Sequence, residues 1–186
     1  MVDVATALPF AMPLASAQGR LTALFERDFD YVWNALGRLG VPDRDREDVA
    51  QEVFVQVYRR IAEYEVSRPS RPWLFAFAVR CASDWRRLAW RRVDLREEHP
   101  EPELAVPGAD EAVEEKQDRE LVERALVAIP IERRPVFILY ELEECPMKEI
   151  AELLAIPLFT AYSRLRVARE EFATAVRRLG AEGRGG

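Results

Sequence analysis

The sequence predicts an all-α protein built as two small helical domains, and three observations carry that prediction. Apolar residues recur at spacings of three and four along most of the chain, as the buried face of a helix requires. No stretch of any length alternates apolar and polar residues as a half-buried strand would. A proline- and glutamate-rich segment splits the helical pattern near its middle.

Taken in order, residues 1–18 contain Pro9, Pro13 and Asp3 but no base, which reads as a flexible N-terminal extension rather than a secretory signal. A first helix is expected over about 19–39, with Leu21, Leu24, Phe25, Phe29, Val32, Trp33 and Leu36 on its apolar side. Gly37, Gly40 and Pro42 punctuate its end. A second helix starts after Asp43 or Asp45, whose charges suit the positive end of the helix dipole, and carries Val49, Val53, Phe54, Val57, Tyr58 and Ile61 along one face. Residues 65–71 form a loop; Ser70 can cap the next helix, and Pro72 is tolerated in its first turn. That helix runs to about Arg92 and buries Leu74, Ala78, Cys81, Ala82, Trp85 and Leu88.

Pro100, Pro102, Pro107 and Gly108 amid glutamates make 96–110 a linker that cannot bury a core. Helical periodicity resumes near Asp110 through Val113, Leu121, Val122, Leu126 and Ile129, and Pro130 stops it. Three more helices follow at about 132–143, 146–154 and 158–179. The domain limits are therefore 19–95 and 111–180, with a tail at 181–186. Lobes this small are marginal alone and gain stability from a partner.

Composition excludes several classes. No run approaches the ~18 apolar residues of a membrane-spanning helix, so no integral membrane segment is expected. Cys81 and Cys145 stand far apart with no CxxC, and His99 is the only histidine, so neither a zinc site nor a disulfide scaffold is supported. No metal and no other cofactor is expected, and the two thiols read as buried and inert.

The net charge of −6 hides a strong segregation. Residues 97–123 hold eleven acids against Lys116 and Arg119, a net −9, which leaves +3 for the rest of the chain. Residues 67–96 hold eight arginines against Asp84 and Asp94, and residues 156–186 hold six arginines against three glutamates. Two basic stretches around an acidic spacer point to polyanion binding at two places. Only Lys116 and Lys148 are lysines, and the guanidinium fork suits phosphates and guanine edges better than ammonium does. A GC-rich genome would raise arginine and alanine usage in the same way.

Residues 146–169 fit the grammar of a helix-turn-helix. Pro146 opens a short helix with Ile150, Ala151 and Leu154 facing inward, and Ile156-Pro157 makes the turn. Phe159, Thr160, Tyr162, Ser163, Arg164, Arg166 and Arg169 then populate a second helix of a kind that can enter the major groove. An ordinary helical hairpin with a solvated arginine face has the same pattern. In the first lobe, Arg80, Asp84, Arg87 and Arg91 form one stripe beside Trp73, Phe75, Phe77, Trp85 and Trp90. Arginine interleaved with aromatic rings can hold unstacked bases, although Trp73, Phe75 and Trp85 also read as core.

These segments together resemble an extracytoplasmic-function (group IV) sigma factor, a bacterial RNA polymerase initiation subunit, over about residues 21–179. The resemblance rests on Asp48-Val-Ala-Gln-Glu-Val-Phe-Val-Gln-Val-Tyr-Arg, on Trp73-Leu-Phe-Ala-Phe-Ala-Val-Arg-Cys-Ala-Ser-Asp-Trp-Arg-Arg, and on Ala125-Leu-Val-Ala-Ile-Pro with Arg134-Pro-Val-Phe before the helix-turn-helix. It implies a region 2 bundle and a region 4 helix-turn-helix. Asp48, Gln51, Glu52, Phe54 and Val55 would dock on the clamp coiled coil of core RNA polymerase. Arg68, Ser70, Arg71, Arg80, Asp84, Arg87 and Arg91 would engage the minus-ten promoter element and capture an extruded base. The last helix would read the minus-thirty-five element. The resemblance further implies a cytoplasmic, non-enzymatic protein controlled by an anti-sigma factor.

Some positions depart from the family pattern: Cys81 and Ser83 on the melting helix, and Phe159, Tyr162 and Val167 on the reading helix. Two other classes compete. A stand-alone helix-turn-helix regulator would have no need of the 48–59 face, and a protein-binding module would not need Arg164, Arg166 and Arg169.

Overall fold

The computed structural model describes residues 16–93 and 113–182, with side chains over 16–89 and 121–181. The expected acidic linker at 96–110, His99, and nearly all of the N-terminal extension and C-terminal tail lie outside these residues. Among the described residues every regular element is helical, as predicted.

The first lobe holds α1 (Ala17–Arg38), α2 (Asp43–Arg59), a 3₁₀ turn at Ile61–Glu63, and α3 (Ser70–Val93). The Ser16 hydroxyl caps α1 by accepting from the Gly19 N–H at 2.9 Å. At the other end, Val41 N–H returns to the Leu36 carbonyl at 3.0 Å and Gly40 N–H to Gly37 at 2.8 Å. This is a Schellman closure, and it needs Gly40 in the left-handed region, at φ 92°. The three helices pack pairwise. Leu24, Val32 and Leu36 of α1, Val49, Val53 and Val57 of α2, and Leu74, Phe75 and Ala78 of α3 fill the space between them.

The second lobe holds α4 (Val113–Ala128), a short α5 (Arg134–Phe137), α6 (Met147–Leu153) and α7 (Leu158–Glu182). The helix expected over 132–143 is this single α turn running into a π turn at Ile138–Leu142, which closes with Glu143 N–H on the Ile138 carbonyl. Glu144, at φ 52°, then turns the chain away. Helices α4, α5 and α6 all pack on α7.

The sequence did not anticipate that the two lobes touch. Helix α1 meets α4 and α3 meets α6, and one continuous apolar cluster runs from Leu24 to Ala168 through both lobes. The partner that stabilises each small lobe is thus the other lobe.

Several residues expected on buried faces lie elsewhere: Phe25 is 44% exposed and Tyr58 50% exposed. Leu88 is 50% exposed and Val122 39% exposed, and Trp85 is only half-buried. Phe54 is corrected in the opposite sense. Expected at a docking surface, it is 6% exposed, with its ring 4.8 Å from Phe25 and 6.2 Å from Phe29. Phe54→Ala should therefore cost ~3–5 kcal/mol of folding stability, as large-to-small core changes do, measured as a lower urea midpoint at unchanged slope.

Candidate nucleic-acid and polymerase interface

On α2, Asp48, Gln51, Glu52 and Val55 recur every three or four residues and all are exposed. Glu52 accepts a hydrogen bond from Gln56 one turn on. With Phe54 turned inward, the face is a polar stripe around Val55, which is 43% exposed.

The loop before α3 has an internal frame. The Tyr64 hydroxyl donates to the Arg68 carbonyl at 3.1 Å, and the Arg68 guanidinium pairs with Glu65 at 2.8 Å. Arg71 stands over the Tyr31 ring at 5.3 Å, held by cation–π attraction. Ser70 is buried. Its hydroxyl donates to Asp28 Oδ2 at 2.7 Å and accepts from Arg27 at 2.6 Å, so it is committed to a contact with α1. Asp28, only 2% exposed, is satisfied by Ser70 and Arg27 together, and the unit pins the start of α3 to α1.

Along α3, Arg80, Asp84 and Arg87 form the expected exposed stripe. Arg80 lies 5.3 Å from the Phe77 ring centre, and Arg87 donates to Asp84 at 3.0 Å. The side chains of Trp90 and Arg91 lie outside the described residues. Trp73 lies between Tyr64 and Phe77, tilted to the first and edge-on to the second, with ring centres 5.0 and 4.8 Å away, and Phe75 is fully buried. Three of the candidate base-stacking rings, Trp73, Phe75 and Phe77, are thus packed into the lobe.

In the helix-turn-helix, Ile150 and Ala151 of α6 face Ala161, Leu165 and Ala168 of α7, all buried. Leu154, expected inward, is half-buried. Ala155, at φ 52°, makes the turn between the helices. The first turns of α7 present Phe159, 83% exposed, with Tyr162 and Ser163 beside it; Thr160 and Arg164 are half-buried. Arg166 pairs with Glu170 at 2.8 Å. Arg169 departs from expectation, since it donates to Glu141 at 2.6 Å and lies 5.4 Å from the Tyr140 ring centre. It is folded back on its own lobe.

Arg86 belongs with these residues but lies off the stripe by which the arginines were chosen. It is half-buried and lines a cavity of about 460 Å³ with Val79, Ser83, Arg87, Ile131 and Arg164. The available signal was its place in the basic segment; its neighbourhood needed the second lobe.

A first lobe with an exposed polar helix face and an arginine stripe, and a second lobe with a helix-turn-helix, give the two-lobed all-α arrangement that the sigma-factor resemblance implies. The family comparisons agree with that class and refine it. The description "Sigma-70 region 2" matches residues 24–92, and "Sigma-70, region 4" matches residues 119–172. The chain belongs to the sigma-70 family. It is 29% identical over 148 residues to the ECF RNA polymerase sigma-E factor of Escherichia coli, covering 75% of this chain and 78% of that one. It is 26% identical over 146 residues to the ECF RNA polymerase sigma factor SigW of Bacillus subtilis, covering 73% and 77%. It is an ECF-type sigma factor. The fold resembles the sigma factor RpoE solved with the anti-sigma factor NepR from Bartonella quintana, with TM-score 0.71 and 16% identity over 85% of this chain and 97% of that one. CnrH, solved with the cytosolic domain of CnrY, matches with TM-score 0.58 and 20% identity over 87% and 90%.

Both cysteines are buried and unpaired. Burial pushes the Cys81 thiol up to about 12 and the Cys145 thiol up to about 11, with nearby carboxylates adding to the shift. The thiolate is the reactive form. At pH 7.5 a disulfide reagent should therefore modify the folded chain at least ~100-fold more slowly than the urea-unfolded chain.

Proposed function

We propose that this sigma factor, a group IV member, uses residues 19–95 as region 2 and residues 111–180 as region 4. Region 2 docks on the clamp coiled coil of core RNA polymerase through Asp48, Gln51, Glu52 and Val55. It engages the minus-ten element with Arg68, Arg71, Arg80, Arg87 and Arg91, and Asp84 sets the charge of that stripe. Region 4 presents Phe159, Thr160, Tyr162, Ser163, Arg164 and Arg166 to the minus-thirty-five duplex. The protein performs no chemistry; binding energy from the complex with polymerase offsets the few kcal/mol that each extruded base costs. It acts in the cytoplasm. Control by an anti-sigma factor is part of the reading, supported by the likeness in fold to the sigma factor RpoE solved with the anti-sigma factor NepR.

The observation that carries this reading is the pairing of surfaces in one chain. Region 4 presents exposed Phe159, Tyr162 and Ser163 at the start of α7, while α2 in region 2 has an exposed stripe of Asp48, Gln51, Glu52 and Val55. A stand-alone regulator leaves that stripe without a task.

The test is transcription with purified core polymerase on fragments of the chain's own genome. The wild type should give discrete start sites, and the Gln51→Ala/Glu52→Ala double variant should need about tenfold more protein for half-maximal transcript, a loss near 1.4 kcal/mol. Absence of any specific transcript with wild type, while polymerase binding is intact, contradicts the reading.

A further inference from the structure

We infer that this chain reads a thymine of its minus-thirty-five element by the C5-methyl group, through the exposed ring of Phe159 at the head of α7. The inference rests on the promoter reading above and names the base chemistry that the reading helix takes.

Helix α7 is divided by its own packing. Ala161, Leu165 and Ala168 are buried toward α6. Phe159, Tyr162, Ser163 and Arg166, spaced by three and four residues, therefore share the outward side. Phe159 is 83% exposed, more than any other large apolar side chain among the described residues. Tyr162 at 55% and Leu158 at 45% lie beside it. A single exposed apolar residue needs no explanation, but a cluster at the head of one helix marks a contact surface.

The arginines of α7 are committed elsewhere. Arg166 pairs with Glu170 at 2.8 Å, and Arg169 donates to Glu141 at 2.6 Å. Arg164 is half-buried and lines a cavity with Ile131, Glu132 and Pro135. Exposed ion pairs exchange for phosphate oxygens, so these cations suit the DNA backbone. Base edges are left to the first turns, where the outward groups are two aromatic rings and the Ser163 hydroxyl.

The surroundings select DNA as the occupant of this patch. Residues 153–169 contain three arginines and no acid, and the positive end of the α7 dipole lies at Leu158. An apolar patch in positive potential fits a polyanion that offers an apolar feature. In the major groove that feature is the thymine methyl group; guanine shows two acceptors, adenine an acceptor and a donor, and cytosine an amino donor. The first residues of the second helix of a helix-turn-helix are the ones that meet base edges. A phenyl ring there gains by covering a methyl group, whereas against a G·C pair it would strip water from polar atoms and return no hydrogen bond. Phe159 is one of the positions that depart from the family pattern, so the preference belongs to this chain.

The experiment uses the full chain bound to core polymerase, on a promoter whose start site the wild type has defined. Each thymine of the upstream element, on either strand, is replaced in turn by deoxyuridine, which removes the methyl group and keeps every hydrogen-bonding atom. With wild type, the replacement should weaken complex formation about fivefold at one or two positions. Phe159→Ala should bind the unmodified promoter about fivefold more weakly and be indifferent to deoxyuridine at those positions alone. Phe159→Leu should retain part of both effects, and the urea midpoint of each variant should match wild type because the ring is exposed. An upstream element without thymine, wild-type indifference to deoxyuridine throughout, or full sensitivity retained by Phe159→Ala overturns the inference. Weaker binding of Phe159→Ala to core polymerase without DNA puts the ring on a protein surface and also overturns it. Failure of wild type to give any discrete start site contradicts the promoter reading itself, and this inference with it; discrete start sites with indifference to deoxyuridine contradict the inference alone.

Discussion

The structure turns on a single buried guanidinium. An ionised side chain in a protein interior carries a desolvation cost of several kcal/mol unless its hydrogen-bonding capacity is met. Arg134 meets it without a carboxylate, using carbonyls that two helices leave free at their C-terminal ends. The Schellman closure of α1 occupies the Leu36 and Gly37 carbonyls and leaves that of Leu39 available. A second buried arginine, Arg46, donates to the carbonyl of Val41, two residues on, at 3.3 Å, while pairing with Asp43 at 2.6 Å. The end of α1 is thus gripped from two sides, by its own lobe and by the other.

The arginines of this chain consequently divide by environment. Arg46 and Arg134 are structural cations with backbone partners. Arg27, Arg60, Arg68, Arg87, Arg133, Arg166 and Arg169 are each matched by an acid on their own lobe. Exposed pairs of this type are worth little in water and exchange readily for phosphate oxygens. A net charge of −6 is therefore compatible with DNA binding. Those seven arginines are locally neutralised until a stronger polyanion is brought to them.

Much of this was legible from the sequence, because helices buried on one face announce themselves. The periods of α1, α2, α3, α6 and α7 located them to within a few residues, and Pro130 marked the end of α4. What misled was local in each case. Phe54 sits in the polymerase-docking string, but only its contact with Phe25 and Phe29 shows which way the ring turns. Ser70 has a good capping pattern, which gives no sign that a buried Asp28 over forty residues away takes its hydroxyl. The π turn after Phe137 leaves no pattern in composition. The lobe contact was least legible, since Arg134 reads as one more arginine until the carbonyls of Val127, Ile129 and Leu39 converge on it.

The central claim is that this chain recognises promoters only as part of a polymerase complex, with one lobe on each element. The most direct measurement is a nuclease and permanganate footprint of one transcribed promoter with free chain, core polymerase and the two together. The account predicts protection of both elements and reactive thymines in the downstream one only when chain and core are combined. Protection of either element by the free chain at the same concentration, or by the complex at one element without melting, would contradict it.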